Sequence, residues 1–194
     1  MTLLIIGLII FLGSHSIRIF AESWRNKQID QLGEVKWKGF YTIISLIGIV
    51  LVVIGYGQAR QNPVILWNPP IYLTHTAILL NLIAFIFLAS SSPTNNAIRL
   101  KLKHPMVLGV KVWALAHLLA NGTLASLVLF GSFLIWAVLD FRSARKRPVP
   151  IVEKVAVSAK ATLIAILSGV AVWAIFLFGL HKYLFGVSPL GSMG

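Results

Sequence analysis

A metal ion or redox cofactor in this protein must be held by histidine, methionine or oxygen ligands, and the five histidines are the main candidates. A neutral imidazole binds haem iron and most late transition metals. Cysteine is absent, so the chain has no disulfide, no thiolate ligand and no thiol nucleophile. None of the five acidic residues lies deep inside an apolar segment, which argues against paired-carboxylate hydrolysis and against a buried carboxylate relay.

The elements that carry these histidines are predicted to be membrane-spanning helices. Of the 194 residues, 58% are hydrophobic and only 11% are charged, which is more apolar surface than a soluble domain of this size could bury. A helix needs about 20 mainly apolar residues to cross a bilayer. Six such stretches are present, over residues 2–20, 39–57, 71–90, 106–120, 123–139 and 161–185. The sequence therefore predicts an all-α, polytopic membrane helical bundle of about six transmembrane helices, with the lipid bilayer as its main partner.

The fourth and fifth predicted spans are separated only by Asn121 and Gly122, which indicates a tight helical hairpin. Small side chains let helices approach closely in lipid. We therefore expect the two spans to pack through small residues, with Gly109, Ala116 and Ala120 on one helix against Ala125, Gly131 and Ser132 on the other.

The basic residues set the predicted orientation. The chain has 17 lysines and arginines against five acidic residues, a net charge of +12. In a soluble protein that excess would suggest nucleic acid, but here it is confined to short gaps between apolar segments, so no nucleic-acid partner is expected. Fourteen of the 17 lie in the first, third and fifth loops, within residues 18–38, 99–103 and 142–160. The positive-inside rule then places these loops in the cytoplasm and both termini on the opposite side.

Polar side chains inside the predicted spans are candidates for function, because each one costs a few kcal/mol in hydrocarbon unless it is paired. His15 has an apolar helical face around it, and Arg18 lies one turn away, where its guanidinium could pair with a haem propionate. His117 lies 13 residues after His104, so the two are roughly 140° apart around one helix and about 20 Å apart along it. They cannot hold the same iron. A second ligand for His117 must come from another helix, as in bundles that hold haem b between two histidines. The alternative role for His15 or His117 is a core histidine that is hydrogen-bonded to a neighbouring helix.

His104 and Lys111 extend the candidate site along the fourth predicted span. His104 precedes Pro105 at a helix start, where helix capping or headgroup contact is the alternative role. Lys111 shares a helical face with His104. Its ammonium needs an anionic partner such as a propionate or a lipid phosphate, unless the side chain snorkels to the headgroups.

The two remaining histidines differ in their expected depth. His75 lies five residues into the third predicted span and matches the depth of His117 better than His15 does, so it is the rival second ligand. His181 lies at the end of the sixth predicted span and is expected to be an interfacial side chain.

A long run of residues carries a resemblance to a known family. Residues His104 to Asp140, HPMVLGVKVWALAHLLANGTLASLVLFGSFLIWAVLD, resemble the signature of the NnrU family of membrane proteins. FLGSHS, at residues 11–16, resembles the N-terminal histidine motif of that family. With the six-span layout, the resemblance covers nearly the whole chain and implies a single NnrU-type transmembrane domain over residues 1–194. The family is associated with bacterial denitrification and nitric oxide metabolism, which implies a bacterial inner membrane. With the orientation that the basic residues predict, both termini would then be periplasmic.

The resemblance also implies a cofactor and its ligands. The NnrU family is related to plastid 15-cis-zeta-carotene isomerase, a membrane enzyme that uses haem b held by two histidines. By residue matching these correspond to His15 and His117. In that relative, a cysteine three positions before the second histidine replaces one ligand on reduction, and here that position is Ala114. The match therefore implies the haem but leaves the isomerase mechanism without one of its residues.

The expected function is accordingly that of a haem b-binding inner-membrane protein with bis-histidine ligation. It would be an isomerase or redox enzyme that acts on a lipophilic small molecule, or a protein linked to denitrification and nitric oxide metabolism. Two alternatives stay open: a metal-free structural or assembly protein, and a relic of a membrane methyltransferase that uses S-adenosylmethionine. The methyltransferase alternative rests on His104 and Pro105, which resemble part of the motif of such enzymes, although Lys103 and Val107 depart from that motif.

Overall fold

The chain folds as a bundle of helices. The computed structural model describes residues 1–147 and 156–190, and in these ranges every extended regular element is a helix. The helices are α1 (Thr2–Phe20), α2 (Glu22–Leu32), α3 (Glu34–Ala59), α4 (Ile71–Ala89), α5 (Ala97–Leu102), α6 (Pro105–Ala120), α7 (Leu124–Lys146) and α8 (Ala159–Ile175). α8 continues through a π-helical turn (Phe176–Leu180) into α9 (His181–Phe185). The prediction of an all-α membrane helical bundle is confirmed.

Five of the six predicted spans correspond to long apolar helices in the part of the chain that the structure describes. α1, α3, α4, α7 and the continuous stretch Ala159–Phe185 are each long and apolar enough to cross a membrane. α6 covers the remaining predicted span with 16 residues, or about 24 Å of helix. That is shorter than the hydrocarbon core of about 30 Å. The protein is therefore multi-pass, and the sixth span stays a prediction.

Glycines bring α1 and α3 into backbone contact. A Cβ on Gly7 would come within 2.5 Å of the Val52 nitrogen, and one on Gly48 within 2.7 Å of the Phe11 nitrogen. Small residues at helix contacts allow this approach in lipid. The pairs also show that the two helices run antiparallel, so the end of α1 that carries His15 lies beside the start of α3.

α6 lies between α4 and α7, and its glycine faces α4. A Cβ on Gly109 would lie 2.9 Å from the Leu88 side chain on α4. A Cβ on Gly131 of α7 would meet nothing within 4 Å. α6 and α7 pack against each other, as expected. The expected part of Gly109 and Gly131 in that contact is wrong, because a sequence shows which residues are small but not which neighbouring helix they face. Aromatic rings contribute to the α6–α7 interface instead, with the centroids of Trp113 and Phe130 5.2 Å apart.

The turn between α6 and α7 is covered by the segment that joins α3 to α4. Leu66 N and Trp67 N both donate to the Gly122 carbonyl oxygen, at 2.8 and 3.1 Å. A Cβ on Gly122 would overlap the Trp67 carbonyl oxygen, so only glycine fits there. We call this the hairpin end of the bundle. The opposite end, where α1 and α7 finish and α3 and α6 begin, is the basic end.

Candidate cofactor-binding site

A cavity of about 420 Å³ opens at the basic end, between α1, α2, α3, α6 and α7. Its size is typical of small-molecule sites. Its uncharged lining is mostly aromatic and aliphatic and consists of His15, Trp37, Tyr41, Val107, Val110, Trp136 and the exposed Met106, with Ser14, Ile17 and Ile29. Its mouth is charged, with Arg18, Arg25, Glu34, Lys38, Asp140 and Arg147. An apolar interior behind a charged mouth suits an amphiphilic ligand.

His15 lies near the end of α1, and its half-buried ring lines the cavity. Its Nδ1 is 2.7 Å from the Phe11 carbonyl oxygen. A carbonyl oxygen only accepts hydrogen bonds, so Nδ1 carries the proton and Nε2 keeps a lone pair. The ring lies among Phe11, Tyr41 and Trp136, with centroid distances of 4.2, 5.1 and 6.0 Å. His15 thus offers a metal-binding nitrogen in an aromatic setting.

Trp136 lines the cavity and carries a second polar atom without a partner in the described part of the chain. Its indole Nε1 is buried and has no hydrogen-bond partner among the described residues. An unpaired buried donor costs about 1–3 kcal/mol. Because Trp136 lines the cavity, a turn of its ring that brings this nitrogen to a ligand's hydrogen-bond acceptor would remove the cost.

Ion pairs neutralise only part of the cavity mouth. Lys38 pairs with Glu34 at 2.7 Å, and Arg147 pairs with Asp140 at 3.4 Å. Arg25 makes no ion pair with any residue that the structure describes, and the four basic side chains of the mouth outnumber its two carboxylates even when Glu22, which lies 3.8 Å from Arg18 and 4.0 Å from Arg147, is added to them. The mouth therefore favours an anionic group.

Arg18 lies at this mouth, as its position one turn after His15 predicts. Its Nε is 3.8 Å from a Glu22 carboxylate oxygen, and its side chain is 55% exposed, so it is free to reorient toward a ligand. Arg147 donates from Nη2 to the Arg18 carbonyl oxygen at 3.3 Å. This hydrogen bond ties the end of α7 to the end of α1 and closes one side of the cavity.

His117 lies on α6, nearer to the hairpin end, and does not line the cavity. Its Nδ1 is 2.9 Å from the Trp113 carbonyl oxygen, so its Nε2 also keeps a lone pair. The ring stacks on Phe130 with a centroid distance of 4.5 Å. Along α7, Phe130 is six residues from Trp136, the neighbour of His15, which corresponds to about 9 Å of rise.

Three aromatic rings lie between the levels of His15 and His117. Phe11, which touches His15, has its ring centroid 5.8 Å from that of Phe133. The Phe133 ring is in turn 5.4 Å from Trp113, which touches His117. The two histidines are thus at opposite ends of an aromatic column and do not share one cavity.

His104 and Lys111 meet at the ring of Phe141, outside the cavity. The His104 ring lies edge-on at a centroid distance of 6.2 Å, and Lys111 Nζ is 5.6 Å from the same centroid. Burial, followed by the positive charge of Arg147, lowers the pKa of the His104 imidazole below its usual value. Because its Nζ lies over the ring of Phe141, the Lys111 side chain reaches toward the basic end. This is the direction in which we expected it to snorkel or to find an anion.

Among the remaining histidines, the structure brings His181 and not His75 next to His117. His75 is exposed on α4. The centroids of His117 and His181 are 6.5 Å apart. Sequence reasoning missed this pair, although one signal was available: the spans that end with His117 and His181 run in the same direction and so end at the same side of the bundle.

The fold and this cavity define a class of protein, the multi-pass α-helical membrane proteins. Within that class, a family model described as NnrU protein matches residues 3–189, and the chain belongs to the NnrU family. No curated protein and no solved structure matches the chain. The resemblance carried by the run from His104 to Asp140 is thereby confirmed.

Proposed function

We propose that this protein binds haem b in the bacterial inner membrane, with His15 as an axial ligand at the basic-end cavity. The observation that supports this most directly is the imidazole of His15, whose protonated Nδ1 is held by Phe11 so that Nε2 is available to iron. Bound haem b would supply a redox-active iron that can also take a diatomic gas.

The residues of the cavity fit such a group. Tyr41, Val107 and Val110 offer an apolar wall for the flat face of a macrocycle, and the buried Nε1 of Trp136 lacks an acceptor among the described residues. The basic mouth would hold the propionates, with Arg18 as the side chain freest to reorient. With a charged mouth and an apolar interior, the cavity would bind the macrocycle with its apolar part inside and its propionates at the mouth.

The number of histidines that would bind the haem iron decides which chemistry the haem could supply. In the bis-histidine form that the resemblance implies, His117 is the second ligand, and the rings of Phe11, Phe133 and Trp113 must move to admit it. In the form that needs no such movement, His15 would be the only protein ligand and the haem could take a gas molecule. An open position binds nitric oxide, which agrees with the association of the family with nitric oxide metabolism. We favour this second form.

The test is the absorption spectrum of protein purified in detergent from haem-replete cells. We expect a Soret band in the wild type and its loss in His15→Ala. His75→Ala is the matched control, because His75 is an exposed histidine away from the cavity, and it should retain the band. A wild type without haem, or full haem content in His15→Ala, contradicts the proposal and supports a metal-free structural protein.

His117→Ala separates the two forms. If His15 is the only protein ligand, the spectrum of the ferrous haem is high-spin and His117→Ala leaves it unchanged. If both histidines bind the iron, the wild type is low-spin and His117→Ala converts it to a high-spin spectrum. His104→Ala and Lys111→Met should retain the cofactor in either case, because both side chains lie outside the cavity.

The orientation that accompanies this proposal follows from the charges. The basic end carries the mouth of the cavity, and the positive-inside rule places that end in the cytoplasm and both termini in the periplasm. The cavity would then exchange its ligand with the cytoplasmic side.

A further inference from the structure

Three basic side chains lie around one aromatic ring at the basic end of the bundle. Lys111 Nζ is 5.6 Å from the centroid of the Phe141 ring, and the guanidinium carbon of Arg145 is 6.0 Å from it. The His104 ring lies edge-on to Phe141, with the two centroids 6.2 Å apart. We call these four residues the Phe141 cluster. It lies where α6 begins and α7 ends, outside the cavity, and the proposed haem site uses none of its side chains.

Lys111 belongs to the apolar part of α6 and directs its charge toward the start of that helix. Its position is seven residues after His104, which corresponds to about 10 Å of rise. Both side chains nevertheless reach the same ring, so the Lys111 stem runs back toward His104. A long side chain that runs along a helix in this way brings its ammonium out of the hydrocarbon to the level of the lipid headgroups.

The positive charges of the cluster are not neutralised by the described part of the chain. Neither Lys111 nor Arg145 forms an ion pair with a residue in these ranges. Asp140, the acidic residue next to Phe141, pairs with Arg147 instead, at 3.4 Å. The face of the Phe141 ring attracts cations, but the ring carries no net charge. An anionic group that contacts both cations would therefore offset their mutual repulsion.

The backbone beside the cluster is fixed in a strained conformation. Lys103, which joins α5 to α6, has a left-handed φ of 63°, a value that residues other than glycine rarely adopt. Its N donates to the Arg99 carbonyl oxygen at 2.8 Å, and the side chain of the buried Asn96 caps α5 by accepting from Arg99 N at 2.8 Å. These hydrogen bonds fix the start of α6 and so the place of His104. Glycine would adopt this φ without strain, yet the chain has a further basic residue there.

An exposed apolar side chain continues the cluster toward the hydrocarbon. Leu115 lies one turn beyond Lys111 on the same face of α6 and is 42% exposed. A phosphate that carries acyl chains matches both the cations and this apolar surface, whereas a free phosphate would leave Leu115 unused. Basic pockets between transmembrane helices near the membrane surface bind anionic lipid headgroups. We propose that Lys111 and Arg145 bind the phosphate of an anionic phospholipid at the Phe141 cluster.

The first arm of the test measures lipid binding to the full-length protein in detergent, by native mass spectrometry during titration with phosphatidylglycerol. We expect one lipid to bind more tightly than the rest and to lose about fivefold or more in affinity in both Lys111→Gln and Arg145→Gln. Lys146→Gln is the matched control, because it removes one exposed positive charge from the next position of α7 outside the cluster. It should stay within about twofold of the wild type. Equal losses in all three variants would show general attraction to the basic end and refute the site.

The second arm identifies what the cations hold. Inorganic phosphate in large excess should not displace phosphatidylglycerol, and displacement would show a site for free anions and overturn the lipid assignment. Glu153 lies outside the described residues and is the rival partner. Glu153→Gln should bind the lipid as the wild type does, and a gain of about fivefold or more would assign the cations to that carboxylate instead. Lys111→Arg keeps the charge and should keep the affinity. If Lys111→Gln aggregates, the exposed Arg145 decides the outcome, and unchanged binding in Arg145→Gln refutes the proposal.

Discussion

Replacing Gly48 by alanine should move α1 and disturb the His15 site without touching the cavity. A Cβ at residue 48 would lie 2.7 Å from the Phe11 nitrogen, 0.7 Å short of the 3.4 Å at which ordinary contact begins. The near atoms belong to backbone, so the helices themselves must separate. Overpacking of this kind costs about 1–3 kcal/mol. For a chain of this length that corresponds to a fall in Tm of about 2–12 °C.

The displaced residue is also the hydrogen-bond acceptor of His15, since the Phe11 carbonyl accepts from Nδ1 at 2.7 Å. We therefore expect Gly48→Ala to weaken haem binding as well as stability. Thermal unfolding in detergent, followed by circular dichroism, measures the first effect, and hemin titration measures the second. Gly57→Ala is the control on the same helix, because a Cβ there meets nothing within 4 Å. Alanine in place of a helical glycine should be neutral or stabilising by up to about 1 kcal/mol. Equal melting temperatures for the two variants would refute the backbone contact between α1 and α3.

Three further predictions concern other parts of the bundle. Gly122→Ala should lower Tm by several degrees in the same assay, because the added Cβ would overlap the Trp67 carbonyl oxygen. It would also break the two hydrogen bonds to the carbonyl of residue 122, each of which contributes about 0.5–1.5 kcal/mol to stability. An unchanged Tm would show that the turn is not covered. Trp136→Phe should leave the stability of the ligand-free protein unchanged or raised but should weaken hemin binding, because it removes a buried donor without a partner in the described residues; equal hemin affinity would remove that donor from the site. A reporter fused after the last residue should be active in the periplasm and inactive in the cytoplasm, and the reverse would overturn the orientation.

The helices could be predicted because lipid imposes their length and apolar character. The predicted span over residues 71–90 coincides with α4 to within one residue. The same pattern predicts other ends less well. α3 begins at Glu34 and α7 continues to Lys146, beyond the apolar stretches expected at 39–57 and 123–139. Hydropathy marks only the part of a helix that lies in hydrocarbon. The backbone hydrogen bonds of the same helix continue beyond that part, so the helix extends past the membrane into water.

The candidate site was predictable only where one helix determines it. Arg18 follows His15 by one turn, so the sequence alone places both at the same cavity. Tyr41 and Trp136 come from other helices, and their approach to His15 depends on how α3 and α7 are rotated in the bundle. No single-helix pattern contains that rotation, which is why these two wall residues were not predicted.

The cover over the α6–α7 turn has a consequence for the bilayer around the protein. α6 rises only about 24 Å, less than the hydrocarbon thickness of about 30 Å, so with its start at the cytoplasmic headgroups the turn at its end would leave polar backbone groups in hydrocarbon. The segment between α3 and α4 satisfies them instead, through the bonds from Leu66 and Trp67 to Gly122. At this end the protein backbone therefore makes the hydrogen bonds that lipid headgroups or water would otherwise make to the turn. It has a short hydrophobic dimension beside its longer helices, and we expect it to thin the surrounding membrane on that side and to be most stable in bilayers of short-chain lipids.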